Sequence, residues 1–320
     1  MQAVTFSPAT DGLSATPFAV RQREVLAQFR GAPQRFVDVG HSQLAYWRFG
    51  SGPDVLFVHG WPLNSSTFRG VIPRLSDRFT CHLFDLPGAG KTTCNDASKI
   101  DLEEHVETLG RAASLLGLER FAVIAHDSGG YVARVLAARD PRVTGLVLGN
   151  TEVPGHTPPI IQLYWALAHV PGAAALMRAS LSSQVIRKSA LGFGSCFERS
   201  SAIDGEFHEL LVVPVLASPA AMQRQFTLLK NLNFTALARL SEVHAQIRVP
   251  VRLVWGSADT FFPLAKARAM LPEFGGGAEL SEIAGGKLFV HDERPEAFSE
   301  HARSFLEHAV QVEERRREQQ

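Results

Sequence analysis

One stretch constrains the fold more than any other: Phe121-Ala-Val-Ile-Ala-His-Asp127-Ser-Gly-Gly-Tyr-Val-Ala-Arg-Val-Leu-Ala-Ala138. A short apolar run, suited to a buried strand, meets a sharp turn, and a helical pattern follows at once. The turn reads Ala125-His126-Asp127-Ser128-Gly129. That is a small-x-nucleophile-x-small pattern with Asp where Ser is commoner. The central residue of such a turn is strained, and only small residues two positions away leave room for it. The helix start beneath it favours negative charge, which suits an ionised Asp127. A chain built around this turn must present one reactive side chain at the junction of a buried strand and a helix.

The rest of the chain repeats the same alternation. Residues 35–39 and 44–48 flank a turn at Gly40-His-Ser and read as a hairpin. Continuous apolar strands are expected at 54–59, 79–84, 121–125 and 143–148, with helices at 102–116 and 129–138. Apolar strands alternating with helices imply a parallel sheet covered on both faces. The alternation stops near Glu152. Residues 155–240 carry only helical patterns, such as 160–168 and 221–229. It resumes with a strand at 249–255, a helix at 264–271, a strand at 280–283 and a helix at 295–309. The expected fold is α/β: a mostly parallel eight-stranded sheet, helices on both faces, and a helical lid inserted after the sixth strand. Residues 1–34 form an N-terminal arm with a short helix at 21–30. Residues 35–154 and 241–312 form the core, 155–240 the lid and 313–320 a charged tail. Such sheets place ligands at the carboxyl ends of their strands.

Composition excludes several classes. Formal net charge is +0 in 320 residues, with a pI near 7.2, so neither nucleic acid nor an anionic surface is expected as a partner. No apolar run approaches membrane-span length, and residues 1–19 lack the basic start and apolar centre of a signal peptide. Cys81, Cys94 and Cys196 have no metal-ligand or redox spacing. Free thiols fit a reducing compartment, so a cytoplasmic protein without metal or cofactor is expected. Nothing in the sequence sets an oligomeric state. Gly90-Lys91-Thr92 looks like the end of a phosphate loop, but the glycine required five residues before the lysine is Leu86. Its glycines are expected to shape a turn.

Three further segments fall where a nucleophile would need them. His59-Gly60-Trp61-Pro62 follows a strand, and its backbone N–H can meet an oxyanion or hold the nucleophile's carboxylate. The N–H of Ser128 would be the second donor. Asp259, in Trp255-Gly-Ser-Ala-Asp259, follows the strand after the lid, where a carboxylate can orient a base or merely cap the next helix. Glu152, with Asn150 at the end of the strand before the lid, is a reserve acid.

In this order the motifs resemble the α/β-hydrolase superfamily, over roughly residues 35–309. His-Gly-Trp-Pro with His-Asp-Ser-Gly-Gly is similar to the branch with an aspartate nucleophile, the epoxide hydrolases and the haloalkane or haloacetate dehalogenases. The resemblance implies that Asp127 attacks carbon and forms an alkyl-enzyme ester. A histidine oriented by Asp259 would then activate water. It also implies a small apolar organic substrate, with His59, Trp61 and Ser128 around the oxyanion site.

The chain departs from that pattern at the base. The family reads Gly-His-Phe-Val-x-x-Glu-Arg-Pro where this chain has Gly286-Lys-Leu288-Phe-Val-His291-Asp-Glu-Arg-Pro295. Leu288 occupies the histidine position and cannot take a proton. His291 is the nearby alternative, and its three-residue offset should turn it away from Asp127. The epoxide hydrolases' paired lid tyrosines correspond to Tyr164 and Phe226. The tryptophan that dehalogenases place after the nucleophile is Ser128, so Trp61 or Trp165 would have to supply an indole N–H. Two alternatives stand beside the ester mechanism. One is a non-hydrolytic ligand-binding or lyase- or isomerase-like protein using the same pocket. The other is an esterase using Ser128.

Overall fold

The computed structural model describes residues 16–318. The expected loose start of the arm and the last two residues of the tail lie outside them. The chain opens on a helix, Pro17–Arg30, longer than expected because Thr16 caps it through its side chain and Pro17 suits a first helical turn.

Nine strands form one sheet: β1 (Arg35–Asp38), β2 (Ser42–Phe49), β3 (Asp54–Val58), β4 (Thr80–Phe84), β5 (Thr93–Cys94), β6 (Phe121–Ala125), β7 (Val143–Gly149), β8 (Val251–Gly256) and β9 (Ala278–Ile283). The spatial order is β1-β2-β4-β3-β6-β7-β8-β9, with β5 beside β2. β1, β4 and β5 pair with β2 antiparallel, and the pairs from β4 through β9 are parallel. The count corrects the expected eight. The extra strand, β5, is two residues of polar loop, Thr93 and Cys94, with no apolar run to mark it. Strands β4 and β6 are buried at every position, as strands covered on both faces must be. Apolar side chains pack on both faces of the sheet, in two buried clusters.

The apparent phosphate loop is a structural turn. Lys91 directs its ammonium at the carbonyls of Phe29 and Gly31, at the end of the first helix, and its N–H donates to Asp85 Oδ2 at 2.7 Å. Thr92 Oγ1 donates to the Asp85 carbonyl. The donors a phosphate would need are thus spent within the chain.

Between β7 and β8 the chain is helical, with Pro159–Ala168, Ala173–Ser182 and Pro219–Lys230 as its longest helices. The last helix, Pro295–Glu318, runs well past 309 into the charged segment. No helix among the described residues is long and apolar enough to cross a membrane.

Candidate active site

The turn at Asp127 has the strain its sequence implies. Asp127 is the only non-glycine residue with positive φ among those described, at φ 50° and ψ −139°. A residue of this kind costs roughly 1–3 kcal/mol and persists only where its surroundings enforce it. Those surroundings are identifiable. Asp127 N–H donates to the Asn150 carbonyl at 2.9 Å, and Gly130 N–H donates to the Asp127 carbonyl at 2.7 Å. A side chain on Gly129 would collide with the Val58 and His59 carbonyls, and one on Gly60 with the Asp127 carboxylate. Both glycines are needed for close approach.

The carboxylate of Asp127 is clasped as expected. Trp61 N–H donates to Asp127 Oδ2 at 2.9 Å and is shared with Ser128 Oγ at the same distance. The N–H groups of Ser128 and Trp61 both favour the charged carboxylate. Burial outweighs them and, with the charges of Glu152 and Asp259, pushes the Asp127 pKa up to about 8.

His59 supports this loop from behind. Its Nε2 accepts from Leu86 N–H at 3.0 Å, so the ring proton sits on Nδ1, facing the Gly60 carbonyl at 3.0 Å. Burial lowers its pKa. His59 is therefore a neutral strut for the Gly60–Trp61 turn and does not line the main cavity.

That cavity, about 90 Å³, lies between the carboxyl ends of the strands and the helical segment. Trp61, Asp127, Ser128, Glu152 and Leu288 line it from the sheet side, and Ile161, Tyr164, Phe193 and Leu228 from the helices. Leu288 and Asp127 thus face one space, as the sequence register implies. Asp259 does not line it. Its Oδ2 accepts from Asn150 Nδ2 at 2.6 Å and its Oδ1 from Phe261 N–H at 2.7 Å. Burial pushes its pKa up to about 6 against the pull of these donors. The Asp259 loop touches the Leu288 turn through Ala258 N–H and the Gly286 carbonyl, at 2.9 Å.

His291 is elsewhere. It begins a helical turn, Val290–Glu293, and is fully buried away from the cavity. Its Nε2 lies 2.7 Å from Thr67 Oγ1 and its ring 4.1 Å from that of His126. The three-residue step carries it around the turn to the far side, so it does not reach Asp127.

Neither indole candidate for holding a leaving group presents its N–H to the cavity. Trp61 Nε1–H donates to the Gln225 carbonyl at 3.2 Å. Trp165 packs on His169 and Phe234 and does not line the cavity. Tyr164 lines it, but its hydroxyl donates to the Leu191 carbonyl at 3.0 Å. Ser128 Oγ accepts from Trp61, and no histidine is bonded to it among the described residues.

Four site residues escaped the sequence reading. His126 donates Nε2–H to the Leu288 carbonyl at 2.8 Å and so holds the Leu288 turn; burial lowers its pKa to about 3. Thr151 joins Glu152 to the Asp127 backbone. His156 lines the cavity with Nε2 on the Phe261 carbonyl at 2.8 Å. Cys196 also lines it, its thiol held protonated by burial and by the nearby Asp127 and Asp259 charges. His126 stands in the turn motif beside Asp127 but carried no role there. Of the others, only Thr151 could have been suspected, from its place at the end of β7.

Comparison with known proteins fits this geometry. A sequence model for the α/β-hydrolase fold matches residues 53–295. The chain belongs to that family. Among curated α/β hydrolases, it is 28% identical over 272 residues to haloalkane dehalogenase 2 of Mycobacterium tuberculosis, covering 82% of this chain and 91% of that protein. Among solved structures it matches the haloalkane dehalogenase DbeA of Bradyrhizobium elkani with a TM-score of 0.74 at 21% identity, covering 87% and 98% of the two chains. An unliganded epoxide hydrolase matches with a TM-score of 0.73 at 22% identity, covering 85% and 97%. The structural matches establish the fold.

Proposed function

We propose that this α/β-hydrolase attacks carbon through Asp127 and forms an alkyl-enzyme ester, on a small apolar epoxide or organohalide. The observation that carries the reading is the clasped carboxylate. Asp127 Oδ2 is held by the Trp61 N–H, which leaves Oδ1 to attack and places Oδ2 as the future ester carbonyl. The apolar cavity around it suits an uncharged organic molecule. The similarity to a mycobacterial haloalkane dehalogenase and to an epoxide hydrolase fold supports the same chemistry. Epoxides are favoured over halides, because the Trp61 indole N–H is bonded to the Gln225 carbonyl and Trp165 does not line the cavity.

Leu288 stands where this branch has its base, so ester hydrolysis is the impaired half of the cycle. Intact-protein mass after mixing with 1,2-epoxyhexane or 1-bromobutane should show one added alkyl group per chain, mapped to Asp127. The ester should form faster than it clears. Asp127→Asn should show none. No adduct and no turnover with any epoxide or halide would overturn the proposal.

A second reading rests on the same leucine. With no imidazole against the nucleophile, the cavity could hold an apolar ligand without hydrolysing it, or serve a lyase- or isomerase-like reaction. Pure binding would survive Asp127→Asn, whereas adduct formation would not.

A further inference from the structure

Leu288 brings no titratable group to the cavity, yet the cavity contains one besides Asp127 that can carry a proton. Glu152 lines it together with Asp127. Thr151 lies between them: its Oγ1 is 2.8 Å from the Asp127 carbonyl and 2.6 Å from Glu152 Oε2. The threonine hydroxyl has a single hydrogen to give to one of the two oxygens; where it goes to the Asp127 carbonyl, a proton on the Glu152 carboxyl completes the second approach. The arrangement runs from Glu152 to Thr151 to the backbone of the nucleophile itself.

The surroundings agree. Burial raises the Glu152 pKa, and the Thr151 hydroxyl, the Arg134 charge and the Glu152 and Tyr131 N–H groups only partly oppose it. Arg134 gives its Nη1 to the Glu152 carbonyl at 2.8 Å rather than pairing with the carboxyl. Asp127 and Glu152 each disfavour the other's ionisation, as two carboxyls at one site do. The Tyr164 hydroxyl, the Trp61 indole and His156 Nε2 are bound to carbonyls, and the buried Cys196 thiol is a weak donor held protonated, which leaves Glu152 as the cavity's carboxylic acid beside Asp127.

We infer that Glu152 is the acid and base of this site, carrying the proton through both half-reactions in place of the missing histidine. This rests on Asp127 being the nucleophile. In ring opening, Asp127 Oδ1 forms a bond to an epoxide carbon, the ring C–O bond breaks, and the freed oxygen takes the Glu152 proton. In the second step, Glu152 carboxylate takes a proton from water as the water oxygen adds to Asp127 Cγ. The tetrahedral oxyanion faces the Trp61 and Ser128 N–H groups. Its collapse expels the diol oxygen, which takes the proton back from Glu152. Epoxide and water become diol, and the proton left on the Asp127 carboxyl returns to Glu152, which restores both groups. A halide needs no proton to leave, so Glu152 matters there only in the second step.

That asymmetry gives the test. Glu152→Gln is mixed with 1,2-epoxyhexane and, separately, with 1-bromobutane. Ester formation and loss are followed by intact mass, with a thermal melt confirming the fold. Ester formation from the epoxide should fall about 10²–10⁴-fold. Formation from the bromide should not slow, and its ester should persist. Glu152→Asp should recover part of the loss on both counts. A merely structural role would depress both substrates alike, and that result overturns the inference. So does a wild-type ester that never clears, although it leaves Asp127 established as nucleophile. If His156→Gln rather than Glu152→Gln traps the ester, the base is His156 and the inference fails. If no substrate labels the wild type at Asp127, the underlying reading fails first.

Discussion

Asp127 meets conflicting demands. Its backbone is strained, its carboxyl is buried among like charges, and in the proposed reaction it must still ionise to attack. Its pKa, raised to about 8 chiefly by burial, sets the consequence. Only the ionised form is a nucleophile, so the rate of ester formation from 1-bromobutane should climb with pH and level off near pH 8. Stability should run the other way. In the folded chain Asp127 holds a proton that the unfolded chain, near its ordinary 3.8, has lost. The folded state therefore loses stability as pH rises from about 4 to about 8. Asp127→Asn, which cannot ionise, should melt higher than wild type at pH 8 and about the same near pH 4. A rate that is flat with pH, together with equal melting at pH 8, would mean that Asp127 ionises as an ordinary surface carboxyl.

At the scale of elements, the decisive piece is the turn after β9, residues 284–289, which brings Leu288 to the cavity. Two of the contacts that fix it are the His126 ring on the Leu288 carbonyl and Ala258 N–H on the Gly286 carbonyl. Both use backbone atoms of the turn, so they survive any side chain at 288. Leu288→His should therefore place an imidazole beside Asp127 without refolding the turn, and Asp259 sits on the adjoining loop to orient it. Steady-state epoxide hydrolysis should rise on the order of 10²-fold or more, the scale of a positioned base. An unchanged rate with an intact fold would mean that Asp259 cannot reach the ring. The turn also marks the limit of the sequence. The apolar strands, the strained Asp127 and the clasp by Trp61 were legible because each follows from local pattern: uninterrupted apolar runs, or small residues around a reactive one. So was the register that put Leu288, and not His291, at the cavity. The short strand β5 beside β2, the His126 strut and the Thr151 bridge were not. Each depends on residues brought together from distant segments, or on a rotamer that no periodicity encodes.

For the whole molecule, the question is what keeps the helical segment over the cavity. Several ties cross the boundary. Gln225 accepts from the Trp61 indole through its carbonyl and donates its side chain to the Gly88 carbonyl at 2.9 Å. Asn64 Nδ2 donates to the Leu210 carbonyl at 2.8 Å. The most consequential tie is electrostatic. Arg69, after β3, forms a two-bonded pair with Asp292, after β9, at 2.8 and 2.9 Å, and its Nε also reaches Glu206 of the helical segment at 3.2 Å. Both members of the inner pair are buried, with side-chain exposures of 9% and 7%. A buried pair gains little over apolar replacements, but breaking it leaves one charge stranded. Asp292→Ala should therefore cost about 3–5 kcal/mol in denaturant unfolding. Removing Arg69 as well, as Arg69→Met with Asp292→Leu, should recover most of that loss, because no stranded charge remains. Glu206 is half-exposed and cannot replace Asp292 as a buried partner. If the single substitution costs no more than a surface pair, under about 1 kcal/mol, water reaches Arg69 and the segment is held by its hydrogen bonds and apolar contacts without help from this pair.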